Sequence, residues 1–141
     1  MRISATVTST SHDLKTIVST NEKSQSLPVP SKTSGAGSSV NGGELLMLAI
    51  ATCYCNDIYR EAAKRNIIIE KVAVECTSTF GMEGEAGSNI VYSVDIQSPA
   101  SPDKIDALIK YTDTIAEIHK TIRNGTAVTL ITQHDLLNVH S

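Results

Sequence analysis

Ser38-Ser39-Val40-Asn41-Gly42-Gly43-Glu44-Leu45-Leu46 leads into the most apolar stretch of the chain, which runs on to Ala51 and then reaches Thr52-Cys53-Tyr54-Cys55. Asn41 and Glu44 have the spacing of a capping box, with a side-chain acceptor at the N-cap and a carboxylate at N3 reaching back. The pattern predicts a helix from about Gly42 to Arg65, stopped at Asn66. A helix that is apolar for three turns and charged only afterwards belongs inside a fold or an interface. A thiol in its middle is either plain packing or a reactive group shielded from water. The function of the chain turns on which of these describes Cys53.

The 141 residues suit one domain with one core. Hydrophobic residues make up 40% and charged residues 19%, which marks a globular rather than a disordered chain. A net charge of -3 without a long basic run argues against a nucleic-acid partner, because phosphate binding needs clustered Lys and Arg. The apolar run Leu45 to Ala51 is too short to span a bilayer, so no membrane partner is expected. Met1-Arg2 is followed by alternating polar residues rather than a signal-peptide pattern, and the expected compartment is the cytoplasm. Three cysteines with no repeated zinc-type pairs support neither a disulfide framework nor structural zinc. With no Trp and one Phe, the core must be aliphatic.

Working outward from the helix, residues 2–9 alternate as a strand and Ser11-His12-Asp13 reads as a turn. Leu14 to Ser19 is a second strand, Asn21-Glu22-Lys23 a turn, and Ser26 to Val29 a short third strand limited by Pro28 and Pro30. Residues 31–43 form a loop. After the helix, Val72 to Phe80 and Asn89 to Ser98 read as a hairpin, with Val72, Val74, Cys76 and Phe80 on one face and Ile90, Tyr92, Val94 and Ile96 on one face of the return. Ser101-Pro102-Asp103 starts a second helix, whose apolar spacing continues through Ile115 and Ile118 to a break at Asn124-Gly125. Ala127 to Ile131 reads as a last strand. Strands and helices do not alternate one by one, which favours α+β over a doubly wound sheet. The expected organisation is a single domain over 1–141, with N-terminal strands in 1–40, a central helix in 42–65, and C-terminal strands and helix in 67–141.

Cys53 and Cys55 are roughly 200° apart around a helix and cannot bridge each other. Cys55 shares an apolar face with Leu48, Ala51, Ile58 and Ala62, the setting of a packed small hydrophobe. Cys53 shares its face with Leu46, Ala49, Ile50, Asn56, Asp57 and Arg60, so it sits where an apolar face turns polar. Helix-dipole help is small three turns from the N-terminus, and activating this thiol would need a nearby cation. Cys76 lies on the apolar face of a strand. His119 and Lys120 read as cations near a helix C-terminus. His12, His134 and His140 are scattered, and no metal or cofactor is expected.

Two segments resemble the OsmC/Ohr family of small thiol-dependent peroxidases. One is Gly37 through Leu46 running on to Ala49-Ile50-Ala51-Thr52-Cys53, which is similar to the family's Asn-Pro-Glu-x-Leu helix start and reactive cysteine. The other is Ile118-His119-Lys120-Thr121-Ile122, similar to the tail of its Cys-Pro-Val-His-[Arg/Lys]-Thr-Leu motif. The resemblance implies an OsmC-like α+β fold, with antiparallel sheets packed on a long central helix in an intertwined homodimer whose sites lie at the interface. It also implies a cysteine oxidised by an organic hydroperoxide to a sulfenic acid, a second cysteine that condenses with it, and an Arg held by a Glu beside the thiolate. Residue by residue, the reactive cysteine falls on Cys53, the second on Ala116, and the family's Glu on Gly43 with Glu44 beside it. Lys15 and Lys32 are stand-ins for the Arg, although a Lys does not reproduce bidentate Arg geometry.

Three functions follow. One is a stress-related thiol redox protein that reduces organic hydroperoxides through Cys53 with an external thiol, tuned by Glu44, Asp57 and Arg60. The second is a non-catalytic dimer that binds a small apolar or thiol-bearing ligand at its interface. The third is a purely structural or partner-binding role. The resemblance favours the first, and the residue chemistry alone favours the second.

Overall fold

The computed structural model describes residues 1–139, so His140 lies outside the described residues. The elements are β1 (Ile3–Ser9), β2 (Leu14–Thr20), β3 (Lys23–Ser26), α1 (Gly42–Lys64), β4 (Lys71–Thr79), β5 (Ser88–Gln97), α2 (Pro102–Ile115), α3 (Glu117–Arg123) and α4 (Gln133–Val139). The chain forms two compact units: Met1–Ala49 with Cys76–Val91, and Ile50–Glu75 with Tyr92–Ser141. The α+β reading holds.

In the first unit β1, β2 and β3 form an antiparallel sheet in that order, with Val7 paired to Thr16 and Val18 to Gln25. Thr10 closes the first turn by accepting from the amides of His12 and Asp13. β3 falls earlier than the expected Ser26 to Val29. The hairpin turns at Asn21, which adopts φ 53° and so lets Lys23 pair directly with Thr20. Every residue of Lys23–Ser26 is exposed and polar, as an edge strand permits, so no apolar alternation marks it. The same unit holds the first turns of α1. Glu44 N–H donates to Asn41 Oδ1 (2.8 Å), and Asn41 Nδ2 donates to Glu44 Oε1 (3.2 Å), so the box closes through the side-chain amide. The ring of Phe80 lies so close to Gly43 that a Cβ there would stand 3.2 Å from it.

The second unit contains every buried residue among those described. Its core joins Tyr54, Ile58 and Ala62 of α1 to Leu108 and Ala116, with Val72, Val74, Tyr92, Val94 and Ile96 of the β4–β5 hairpin packed against them. The lower half of α1 thus carries an antiparallel hairpin on its buried face. α1 ends in a Schellman motif: Asn66, at φ 55°, donates to Ala63 O (3.2 Å), and Ile67 N–H reaches back to Ala62 O (2.9 Å). Ser101 caps α2 by accepting from Lys104 N–H.

Two expectations fail in this unit. The second helix is not continuous, because Ala116 is extended (φ -62°, ψ 116°) and separates α2 from α3. Upstream, Thr112 and Thr114 turn their hydroxyls back onto the carbonyls of Leu108 and Tyr111, which loosens a helix end. His119 therefore lies inside a second short helix and is buried, rather than capping the end of a long one. Ala127 to Ile131 is not a strand; it pairs with none of the described strands, and Val128 and Leu130 are almost wholly exposed. β-propensity without a partner gives no ladder. A helix, α4, follows instead, started by Thr132, whose N–H and hydroxyl donate to Asp135 Oδ2 while its Oγ1 accepts from Asp135 N–H.

Candidate functional site

Cys53 belongs to the second unit and is half-buried on α1. One turn later on the same face is Asp57, almost fully buried at 4% exposure. The Cys53 thiol points at Asp57 Oδ2 across 3.7 Å. The other Asp57 oxygen takes Arg60 Nη1 at 3.0 Å, one turn further on. Arg60 also reaches Glu61 through Nε (3.4 Å). Sequence spacing thus brings three of the four expected site residues together, because i to i+4 and i to i+3 neighbours share a helix face. The fourth, Glu44, holds the N-terminal cap of α1 with Asn41.

The residue that sequence reading missed is Glu117. It opens α3 directly after the break at Ala116, and one of its carboxylate oxygens lies within 4.8 Å of both the Cys53 sulfur and an Asp57 oxygen. A continuous helix would have turned this position elsewhere, so no local signal reveals it. Sulfur with two carboxylate oxygens at that spacing is a donor set a divalent cation can take.

The electrostatics favour the protonated thiol. Burial raises the Cys53 pKa above its ordinary value; the negative charges of Asp57 and Glu117 raise it further, and the Ile118 N–H at the start of α3 works the other way. Burial also raises Asp57 above the usual carboxylate range, against the pull of Arg60. A protonated thiol beside a carboxylate of raised affinity is a pair that can pass one proton between S and O.

Behind this pair lies an aromatic cluster. His119 is buried, with ring centroids 4.7 Å from Tyr92 and 5.7 Å from Tyr54, and neither of its nitrogens has a hydrogen-bond partner among the described residues. Burial lowers its pKa, which keeps the ring neutral. Tyr92 donates to Asp113, which is held ionised by Arg123 at 2.8 Å, and Tyr54 donates to Ile109 O at 2.7 Å. Further along α1, the buried Glu61 carboxylate collects Lys64 (3.0 Å) and Arg65 (3.2 Å), and the Arg65 guanidinium stacks 4.4 Å from the Tyr111 ring centroid. Cys76, in the other unit, sits with its sulfur 3.4 Å from Met47 Sδ on the wall of an open groove.

The sequence profile of OsmC-like protein matches residues 35–131, more than half of the chain. The chain belongs to the OsmC-like family. No curated protein matches it. Solved structures agree on the fold. An OsmC-like protein from Mycoplasma pneumoniae is 19% identical, with a TM-score of 0.61 and coverage of 93% of this chain and 96% of its own. An organic hydroperoxide resistance protein from Legionella pneumophila is 15% identical, with a TM-score of 0.59 over 87% and 90%. Another, from Elizabethkingia anophelis with thiocyanate bound, is 14% identical, with a TM-score of 0.59 over 87% and 89%. Gly43, where the sequence resemblance leads one to expect a Glu, lies against the Phe80 ring, and Ala116, where it leads one to expect a second cysteine, is fully buried. Among the described residues, no helix is long and apolar enough to cross a membrane.

Proposed function

We propose that this OsmC-like chain is a single-thiol redox protein in which Cys53 reduces organic hydroperoxides and Asp57 handles the proton. The observation that carries this reading is the contact of the Cys53 thiol with a buried, raised carboxylate that Arg60 holds in place. Asp57 takes the thiol proton as the sulfur attacks the outer peroxide oxygen. The S–O bond forms and the O–O bond breaks. The sulfur becomes a sulfenic acid, and Asp57 returns the proton to the departing alkoxide, which leaves as an alcohol. With Ala116 in the position of the second cysteine, an external thiol condenses with the sulfenic acid and releases water. A second thiol then frees Cys53 by disulfide exchange. The test is intact mass after brief exposure to stoichiometric organic hydroperoxide with a sulfenic-acid trap. An adduct in the wild type that is absent in Cys53→Ser supports the reading, and three intact thiols overturn it.

The raised Cys53 thiol itself favours a second reading, a non-catalytic dimer that binds a small apolar or thiol-bearing ligand. Both readings take the chain to be a homodimer. Large apolar side chains stand exposed on β1 (Ile3 and Val7), on α1 (Leu48) and in the C-terminal stretch (Val128, Leu130 and Leu137). In the C-terminal stretch of the second unit, the nearly complete exposure of Val128 and Leu130 supports a partner contact there. Light scattering coupled to size exclusion tests it, and a monomer at micromolar concentration would overturn it.

A further inference from the structure

We infer that Glu117 sets the charge selectivity of the Cys53 site, so that the thiol reacts with neutral reagents and discriminates against anionic ones. The inference rests on the single-thiol reading for its peroxide arm and on geometry alone for the site charge. One Glu117 oxygen lies within 4.8 Å of both the Cys53 sulfur and an Asp57 oxygen. Both carboxylates act on the thiol through their negative charge, and the Ile118 N–H acts against them. Arg60 is the cation of the cluster, and it is already engaged by Asp57 at 3.0 Å and Glu61 at 3.4 Å.

Asp57 and Glu117 differ in what they can do. Asp57 is buried and held on both oxygens, by the thiol on one and the guanidinium on the other. Glu117 is exposed, and its carboxylate has no ion pair among the described residues, although Arg60 feels its charge from a distance. It therefore presents a negative charge without a contact partner to whatever approaches the sulfur from solvent. Two like charges a few ångströms apart repel measurably even at solvent-like dielectric, and the approach of an anionic substrate is slowed by about fivefold to tenfold at low salt. A hydroperoxide of an alkane, an arene or an ester meets no such barrier. The substrate class is thus the uncharged organic hydroperoxide, with hydroperoxides that carry a carboxylate near the O–O bond excluded.

The experiment uses a short tertiary hydroperoxide made both as the free carboxylic acid and as its methyl ester. It measures the second-order rate of Cys53 oxidation by quenched mass spectrometry on the full chain. The ester is expected to react about fivefold to tenfold faster than the acid at low salt, with the ratio falling as salt screens the charge. Glu117→Gln should bring the ratio close to one, and Glu117→Lys should turn it in favour of the acid. An ester-to-acid ratio that is the same in wild type and Glu117→Gln overturns the inference. A second pair, iodoacetamide and iodoacetate, reads the same discrimination at Cys53 without any peroxide. If neither hydroperoxide oxidises Cys53 while this pair still shows Glu117-dependent selectivity, the redox reading fails and the charge selectivity stands. If the alkylation pair shows no Glu117 dependence, the selectivity fails whatever the peroxides do.

Discussion

Asp57→Asn separates two roles of the carboxylate that act in opposite directions. Asp57 faces the Cys53 thiol across 3.7 Å, and its negative charge disfavours the thiolate. Two unit charges at that separation interact by about 1 kcal/mol at the dielectric of water and about 4 kcal/mol at the effective dielectric near a protein surface. For a half-buried sulfur the lower end applies, so removing the charge raises the thiolate population by about fivefold or more. Alkylation by neutral iodoacetamide follows that population, since iodide leaves without a proton, and it should speed up by about the same factor. Reduction of a hydroperoxide also needs a proton on the leaving oxygen, and the amide of the variant cannot relay the thiol proton to it. General acid–base help of this kind is worth about 10²–10⁴-fold, which exceeds the gain in thiolate. The oxidation rate with tert-butyl hydroperoxide should therefore fall by at least about tenfold in the variant in which alkylation rises. Both rates come from the same protein preparation, by mass spectrometry at fixed pH and salt. Rates that rise together would show that Asp57 only suppresses the thiol and would refute its role as proton carrier.

Other outcomes follow from the second unit. Ile58 is fully buried in the core, so Ile58→Ala should cost about 2–5 kcal/mol, read as a lower urea midpoint at unchanged slope. His119 is buried without a hydrogen-bond partner among the described residues, against Tyr54 and Tyr92 and within electrostatic reach of Asp57, Asp113 and Arg123, and its pKa is lowered by burial. The unfolded chain takes up a proton near the ordinary pKa of 6.5, where the folded chain does not. Stability is therefore full above that value and lost as pH falls from it toward the folded-state pKa. His119→Phe should flatten that slope in denaturation midpoints, and an unchanged slope would refute it. If Val128 and Leu130 cover each other's copies in a dimer, burying them contributes about 1.5–3 kcal/mol each. The double change to Lys should then weaken dimerisation by about 100-fold or more in analytical ultracentrifugation.

What the sequence makes legible is what local chemistry decides. The two ends of α1 are written in their neighbours, Asn41 with Glu44 at one and Asn66 at the other, and both function as caps. The β4–β5 hairpin is legible because Val72, Val74, Tyr92, Val94 and Ile96 alternate against one core. β3 is not, because an exposed edge strand has no face to bury. The break at Ala116 depends on the burial of one small residue together with threonine hydroxyls bonded back along α2, which periodicity does not record. α4 is signalled by Thr132 and Asp135 and masked by the apolar run before it. The site divides the same way. Cys53, Asp57 and Arg60 are fixed by spacing on one helix, whereas Glu117 and His119 come from an element whose placement that break determines.

The break also bears on the chemistry. A thiol that reduces a peroxide has two needs, negative charge on sulfur and a proton for the oxygen that leaves. A cation at the thiol answers the first, and an acid beside it answers the second. In this chain Gly43 replaces the carboxylate that the family resemblance leads one to expect, and Phe80 lies against it, while Ala116 replaces a second cysteine. The cation of the local cluster, Arg60, binds Asp57 rather than sulfur. What remains around Cys53 is acid: a buried carboxylate whose proton affinity burial raises, and an exposed one beside it. Burial raises the proton affinity of Asp57 and Arg60 opposes that rise, which suits a group that takes up a proton and gives it back. In the proposed reaction this arrangement would answer the second need and leave the first to the moment when the proton passes from S to O. Such a thiol is quiet at rest, which suits a site where Ala116 stands at the position expected of a second cysteine.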